Sequence, residues 1–94
     1  MHSPDNSPSA VWQALSLWPL GYFTATYNDR RYGVTRSVHA NGRSMKLWAE
    51  ELGGADRISL NIYQPPSGDP ALKPCEMPID KVTAFVLSAI PESV

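Results

Sequence analysis

The chain has 94 residues, 43% of them hydrophobic and 18% charged, with a net charge of −1 and a pI near 6.0. Such a chain is one domain with a single core and no room for a deep, elaborate active site. Near-neutrality excludes a global field drawing it onto nucleic acid or membrane, and the lone Cys75 excludes an intramolecular disulfide.

In chain order, residues 1–6 (MHSPDN) read as a disordered tail ahead of one domain spanning residues 7–94. The polar start has no apolar h-region, so no signal peptide is expected, and a reducing cytoplasm is the expected location. SPSAVWQALSLW then reads as a short helix. Ser7 caps it, Pro8 takes the first helical position, and Val11, Ala14, Leu15 and Trp18 share one side. Pro19 disfavours helical geometry at Trp18 and ends the run.

From Gly21 the hydrophobic period becomes two. YFTATY is the first strand and RRYGVTRSVHA the second. Their connection closes either as a four-residue loop, Asn28–Arg31, or as a two-residue loop at Asn28-Asp29, which pairs Ala25 with Tyr32. Asn41-Gly42 then carries the strongest hairpin signal, because a type I′ turn needs positive φ at both central residues. It pairs Val38 with Met45, Arg36 with Leu47 and Val34 with Ala49. On the opposite face it pairs His39 with Ser44, Ser37 with Lys46 and Thr35 with Trp48. Apolar mostly meets apolar, and a one-residue slip would invert every side chain.

RSMKLWAEELGG also has the composition of a helix with Gly53 as its cap, but the register favours a third strand. A turn at Gly53-Gly54 leads into a fourth, pairing Ala49 with Ile58, Leu47 with Leu60 and Met45 with Ile62. QPPSGDPAL is a turn-rich loop, and LKPCEM is a candidate short edge strand that tolerates Pro74. PIDKVTAFVLSAI closes the chain as a helix whose stripe is Ile79, Val82, Phe85, Val86, Ala89 and Ile90. The expected fold class is α+β. It is a four-stranded antiparallel meander, with an optional fifth edge strand, a C-terminal helix on one face and a short N-terminal helix. That N-terminal helix either completes the helical layer or covers the other face.

Alternation assigns Phe23, Ala25, Tyr32, Val34, Val38, Met45, Leu47, Ala49, Ile58, Leu60 and Ile62 to the core face. Arg36 falls there too, where it must either snorkel past the helix end or find a carboxylate such as Glu51. The outer face interleaves aromatic and basic residues. Its candidate contacts are Tyr22, Arg31, His39, Lys46, Trp48, Arg57 and Tyr63, with Arg43 beside the hairpin tip. Residues 29–46 concentrate the positive charge. Five cations, Arg30, Arg31, Arg36, Arg43 and Lys46, stand against Asp29, a net +4, whereas the rest has three cations against eight carboxylates, a net −5.

Two readings of that face follow. Exposed Tyr and Trp with unguarded strand edges fit a homodimer or another protein partner. Rings interleaved with cations also fit single-stranded DNA or RNA. No membrane partner is expected. The expected function is a small non-enzymatic interaction domain, protein-binding or homodimeric first, with single-stranded nucleic acid as the alternative. His39 and Cys75 have no spacing that brings them together. His2, His39 and Cys75 match no zinc pattern, so no catalytic pair, metal or cofactor is expected.

Overall fold

The computed structural model describes residues 5–92, so most of the expected tail, residues 1–4, lies outside the described residues. Helix α1 (Pro8–Ser16) starts as expected, with the Ser7 hydroxyl accepting from the Ala10 amide at 3.2 Å and Pro8 in the first turn. Strands β1 (Gly21–Tyr27) and β2 (Arg30–His39) are joined by the two-residue turn, Asn28 and Asp29 having φ of 52° and 62°. That geometry pairs Ala25 with Tyr32 and Phe23 with Val34.

At Asn41-Gly42, φ is 57° and 88°, and the Arg43 amide donates to the Ala40 carbonyl at 3.2 Å. Both central residues are left-handed, as a type I′ turn demands. Strand β3 (Ser44–Glu51) follows in the expected register, so residues 44–51 are strand and not helix. Strand β4 (Arg57–Tyr63) pairs Ala49 with Ile58, Leu47 with Leu60 and Met45 with Ile62. Tertiary pairing here overrides the helical propensity of KLWAEEL.

The edges depart from the expected four-stranded meander. The candidate edge strand is real, β5 (Ala71–Pro74), and Pro74 sits on the outside of the sheet. Helix α2 spans Ile79–Ser88 and stops before the expected stripe ends. Ala89 turns extended, and Ile90–Pro91 form a sixth strand, β6, against Ala25 and Thr26. Ile90 is therefore a 69% exposed strand residue, and Ile79 at the other end of α2 is 47% exposed. A helix of ten residues is about 15 Å long, and only its central turns lie over the sheet. The described residues thus form two helices and an antiparallel six-stranded sheet in the order β5-β4-β3-β2-β1-β6. No helix among them is long and apolar enough to cross a membrane.

Both helices pack on the same face of the sheet. Val11 and Leu15 of α1 and Val82, Phe85 and Val86 of α2 are buried against Leu47, Leu60, Ile58 and their neighbours. The Phe85 ring sits at the centre of an aromatic group, 5.1 Å from Tyr27, 5.1 Å from Tyr32 and 6.0 Å from Trp18, all edge-on. Val38 is the one expected core residue left open, at 38% exposure, because it lies near the hairpin tip beyond the helices.

Arg36 neither snorkels to solvent nor finds a carboxylate among the described residues. It is 8% exposed, with Nη1 donating to the Trp18 carbonyl at 2.9 Å and Nη2 to the Met45 sulfur at 3.2 Å. Glu51 instead lies 3.6 Å from Arg30. Burial lowers the pKa of the Arg36 guanidinium.

A polar link ties α2 to the sheet. Asp56 accepts from the Tyr32 phenol at 2.7 Å and from Lys81 of α2 at 2.6 Å. The lysine first, then the phenol, holds the Asp56 carboxyl below its ordinary 3.8. A depressed carboxylate stabilises the fold above its unfolded value and loses that contribution as pH falls through the folded one. Stability should therefore begin to fall below about pH 4. Burial and the Asp56 bond raise the Tyr32 phenol, so stability should also fall above pH 10, where the unfolded chain ionises. Asp56→Ala is expected to cost about 1.5–3 kcal/mol at neutral pH and to flatten the acid limb, as read by urea denaturation across pH.

Candidate functional site

Because both helices lie beneath the sheet, its other face is open. The strand register sorts that face into rows. Tyr22, Thr35, Trp48 and Ser59 form one row, and Ser37, Lys46, Asn61 and Lys73 the next. His39, Ser44, Tyr63 and Ala71 form a third at the hairpin-tip end. On the other side of the Trp48 row, Glu50 faces Arg57 across β3 and β4.

The β1–β2 part of the face is closed down by local contacts. Arg31 grips Glu92 with two bonds, Nε to Oε1 at 2.9 Å and Nη2 to Oε2 at 3.1 Å. The Thr24 hydroxyl donates to the same carboxylate at 2.8 Å. The pair raises the Arg31 pKa and lowers that of Glu92. Arg31 thus clamps β6 onto the sheet edge and is not a free cation. The Tyr22 ring lies across Gly33, where an added Cβ would meet the phenol oxygen at 2.7 Å. Glycine at 33 is what lets this ring lie close to the backbone, yet Tyr22 stays 65% exposed.

The β3–β5 part is different. Trp48 and Tyr63 are 38% and 41% exposed, and Lys46, Arg57 and Lys73 reach solvent beside them. Lys73 was missed by sequence reasoning, although the alternation of buried Leu72 with Lys73 carries the signal. Arg43 is exposed at the turn, its carbonyl accepting from the Gln64 amide at 2.7 Å. His39 sits at the tip of β2, its Nε2 2.9 Å from the Ser37 hydroxyl.

Beside Trp48 the segment after β5 folds up against the sheet, the Cys75 amide donating to the Ser59 carbonyl at 3.0 Å. This leaves a cleft of about 220 Å³ lined by Trp48, Arg57, Ser59, Cys75, Glu76 and Met77. Glu76 holds a left-handed φ of 58° there, an unfavourable conformation for a residue with a Cβ. Cys75 is half-buried, with the Asn61 amide 3.7 Å from its sulfur. It lies beside Ser59, four residues along β4 from the row that holds His39. That offset alone is about 13 Å, so the structure does not bring the thiol and imidazole together. Among the described residues no cluster of three His, Cys, Asp or Glu side chains is placed to hold a metal.

Two apolar features lie elsewhere. Leu17, Leu20, Tyr22 and Ile90 are 87%, 64%, 65% and 69% exposed, all on β1, β6 or the segment leading into β1. A groove of about 630 Å³ runs along the outside of α2, lined by Asn6, Ile79, Asp80, Thr83, Ala84 and Leu87 among others. Comparison with known proteins returned no matching family model, no similar curated protein and no matching solved structure.

Proposed function

We propose that this protein is a non-enzymatic interaction domain that works as a homodimer, joined along the β1–β6 edge of its sheet. The observation that carries this reading is that four large apolar side chains on or beside the edge strands, Leu17, Leu20, Tyr22 and Ile90, are left uncovered along the length of β1. Each such side chain gains about 1.5–3 kcal/mol when it leaves water, and a twofold contact presents the same patch from both partners.

The backbone supports the same edge. Glu92 donates its amide to the Thr24 carbonyl, so the backbone groups of Thr24, and of Tyr22 by alternation, point away from β2. The β6 ladder covers only Ala25 and Thr26, leaving Tyr22 with an open donor and acceptor. The opposite edge is guarded by Pro74, which cannot extend a ladder.

The experiment is sedimentation velocity over a concentration series. Wild type should sediment at twice the monomer mass of 10.3 kDa. A Leu20→Lys, Tyr22→Lys double variant should stay monomeric across the whole series, because two apolar side chains per chain, four per dimer, are lost from the contact at about 1.5–3 kcal/mol each. Both positions are exposed, so the circular dichroism of the variant should match wild type. A wild type that remains monomeric up to high concentration would overturn the proposal.

A further inference from the structure

The cations of this chain are partitioned in a way that its net charge hides. There are eight lysines and arginines. Arg30, Arg31 and Lys81 are ion-paired with Glu51, Glu92 and Asp56. Arg36 is buried in the core. The remaining four, Arg43, Lys46, Arg57 and Lys73, form no ion pair among the described residues. Three of them stand on the β3–β5 half of the outer face, and Arg43 at the turn that enters β3. Glu50 stands across from Arg57, Glu76 shares the neighbouring cleft with it, and the Asp56 carboxylate beside it is engaged by Lys81 and Tyr32.

Exposed rings are set among these cations. Lys46, Asn61 and Lys73 make one row, with Trp48 in the row on one side and Tyr63 in the row on the other. The cleft beside Trp48 adds the Ser59 hydroxyl and the Glu76 carboxylate, groups able to accept from a base edge. We infer that the β3–β5 half of the outer face binds single-stranded nucleic acid. Phosphates sit on Lys46, Lys73, Arg57 and Arg43, and unpaired bases stack on Trp48 and Tyr63. A duplex does not fit this chemistry, because its base faces are already stacked on each other. The inference stands apart from the homodimer, since it uses different strands and different residues.

The test is fluorescence anisotropy with labelled oligothymidine and oligouridine of about 12 nucleotides, within the usual range of site sizes. Four phosphate contacts predict that log K falls with log salt at a slope of about −3, since each contributes about −0.7 on a single strand. Lys46→Ala with Lys73→Ala should weaken binding and reduce the slope by about 1.4. Trp48→Ala should weaken it by about 5- to 150-fold, and Trp48→Phe should restore most of that loss by keeping a ring. Binding of either oligomer supports the inference and identifies the sugar. Absence of binding at about 50 mM salt would overturn it. So would equal affinity for a duplex, or a polyphosphate of matched charge competing equally while Trp48→Ala has no effect.

Discussion

Phe85→Ala is expected to remove most of the stability of this fold. The side chain is 0% exposed, and its ring contacts Trp18, Tyr27 and Tyr32, which come from the α1–β1 segment, β1 and β2. Truncation of a buried Phe costs about 3–5 kcal/mol, as lost transfer energy plus a cavity. Three edge-on ring contacts put this position at the upper end of that range. A domain of this size holds only about 5–14 kcal/mol in total. The urea midpoint should therefore fall sharply with an unchanged slope, or the variant should be unfolded at 37 °C. Phe85→Leu should recover more than half of the loss, because it refills much of the volume. An unfolding free energy within about 1 kcal/mol of wild type for Phe85→Ala would contradict the placement of this ring at the centre of the core.

Arg36 carries the second prediction, and its sign is the informative part. The side chain is 8% exposed and, among the described residues, has no carboxylate within ion-pair distance and no partner for its Nε. Its bonds to the Trp18 carbonyl and the Met45 sulfur compensate only part of the desolvation of a cation. Arg36→Met keeps most of the volume and removes the charge, at the cost of one carbonyl bond worth about 1 kcal/mol. Replacing even a buried ion pair by well-packed apolar side chains is often neutral or stabilising by about 1–4 kcal/mol, and Arg36 has no counter-charge to strand, so a net gain of about 1–2 kcal/mol is expected. Arg36→Ala should do the opposite and lose about 2–4 kcal/mol, because the aliphatic stem packs in the core and leaves a void. Urea denaturation of both variants reads the two signs. Destabilisation by Arg36→Met would mean that the guanidinium is a net stabiliser.

The centre of the fold was legible in the sequence because local signals agreed with one another there. Asn28-Asp29 and Asn41-Gly42 are residues that accept positive φ, and the alternation admitted one register at Asn41-Gly42 and two at the first turn that agree on which faces meet, of which the two-residue loop is the one formed. The helical composition of KLWAEEL was outvoted by pairings with β2 and β4 on both flanks. Of the two edges, β5 was legible as a short candidate strand and β6 was not. β6 is two residues long, and Ile90 fits the stripe of α2 as well as it fits a strand. Its place is decided by contacts distant in sequence, the pairing with Thr26 and the Glu92 clamp on Arg31 and Thr24.

The same reason limited the reading of the face. Alternation assigned Trp48, Lys46 and Tyr63 to it correctly, but nothing local marks Arg31 as engaged by a residue sixty-one positions away. Nor does the local sequence show that the segment after β5 folds back over Ser59. Lys73 alternates with buried Leu72 in the candidate edge strand, but a strand of four residues carries too short a pattern to sort its two faces.

The proposed homodimer uses the β1–β6 edge and not the groove along α2. The most direct test is a two-dimensional amide NMR spectrum of the wild type followed through dilution. Shifts should be confined to residues 17–27 and 90–92, with α2 unchanged. Dilution shifts centred on Ile79, Thr83 and Leu87, with the β1 edge silent, would contradict the account and move the interface to the helical side.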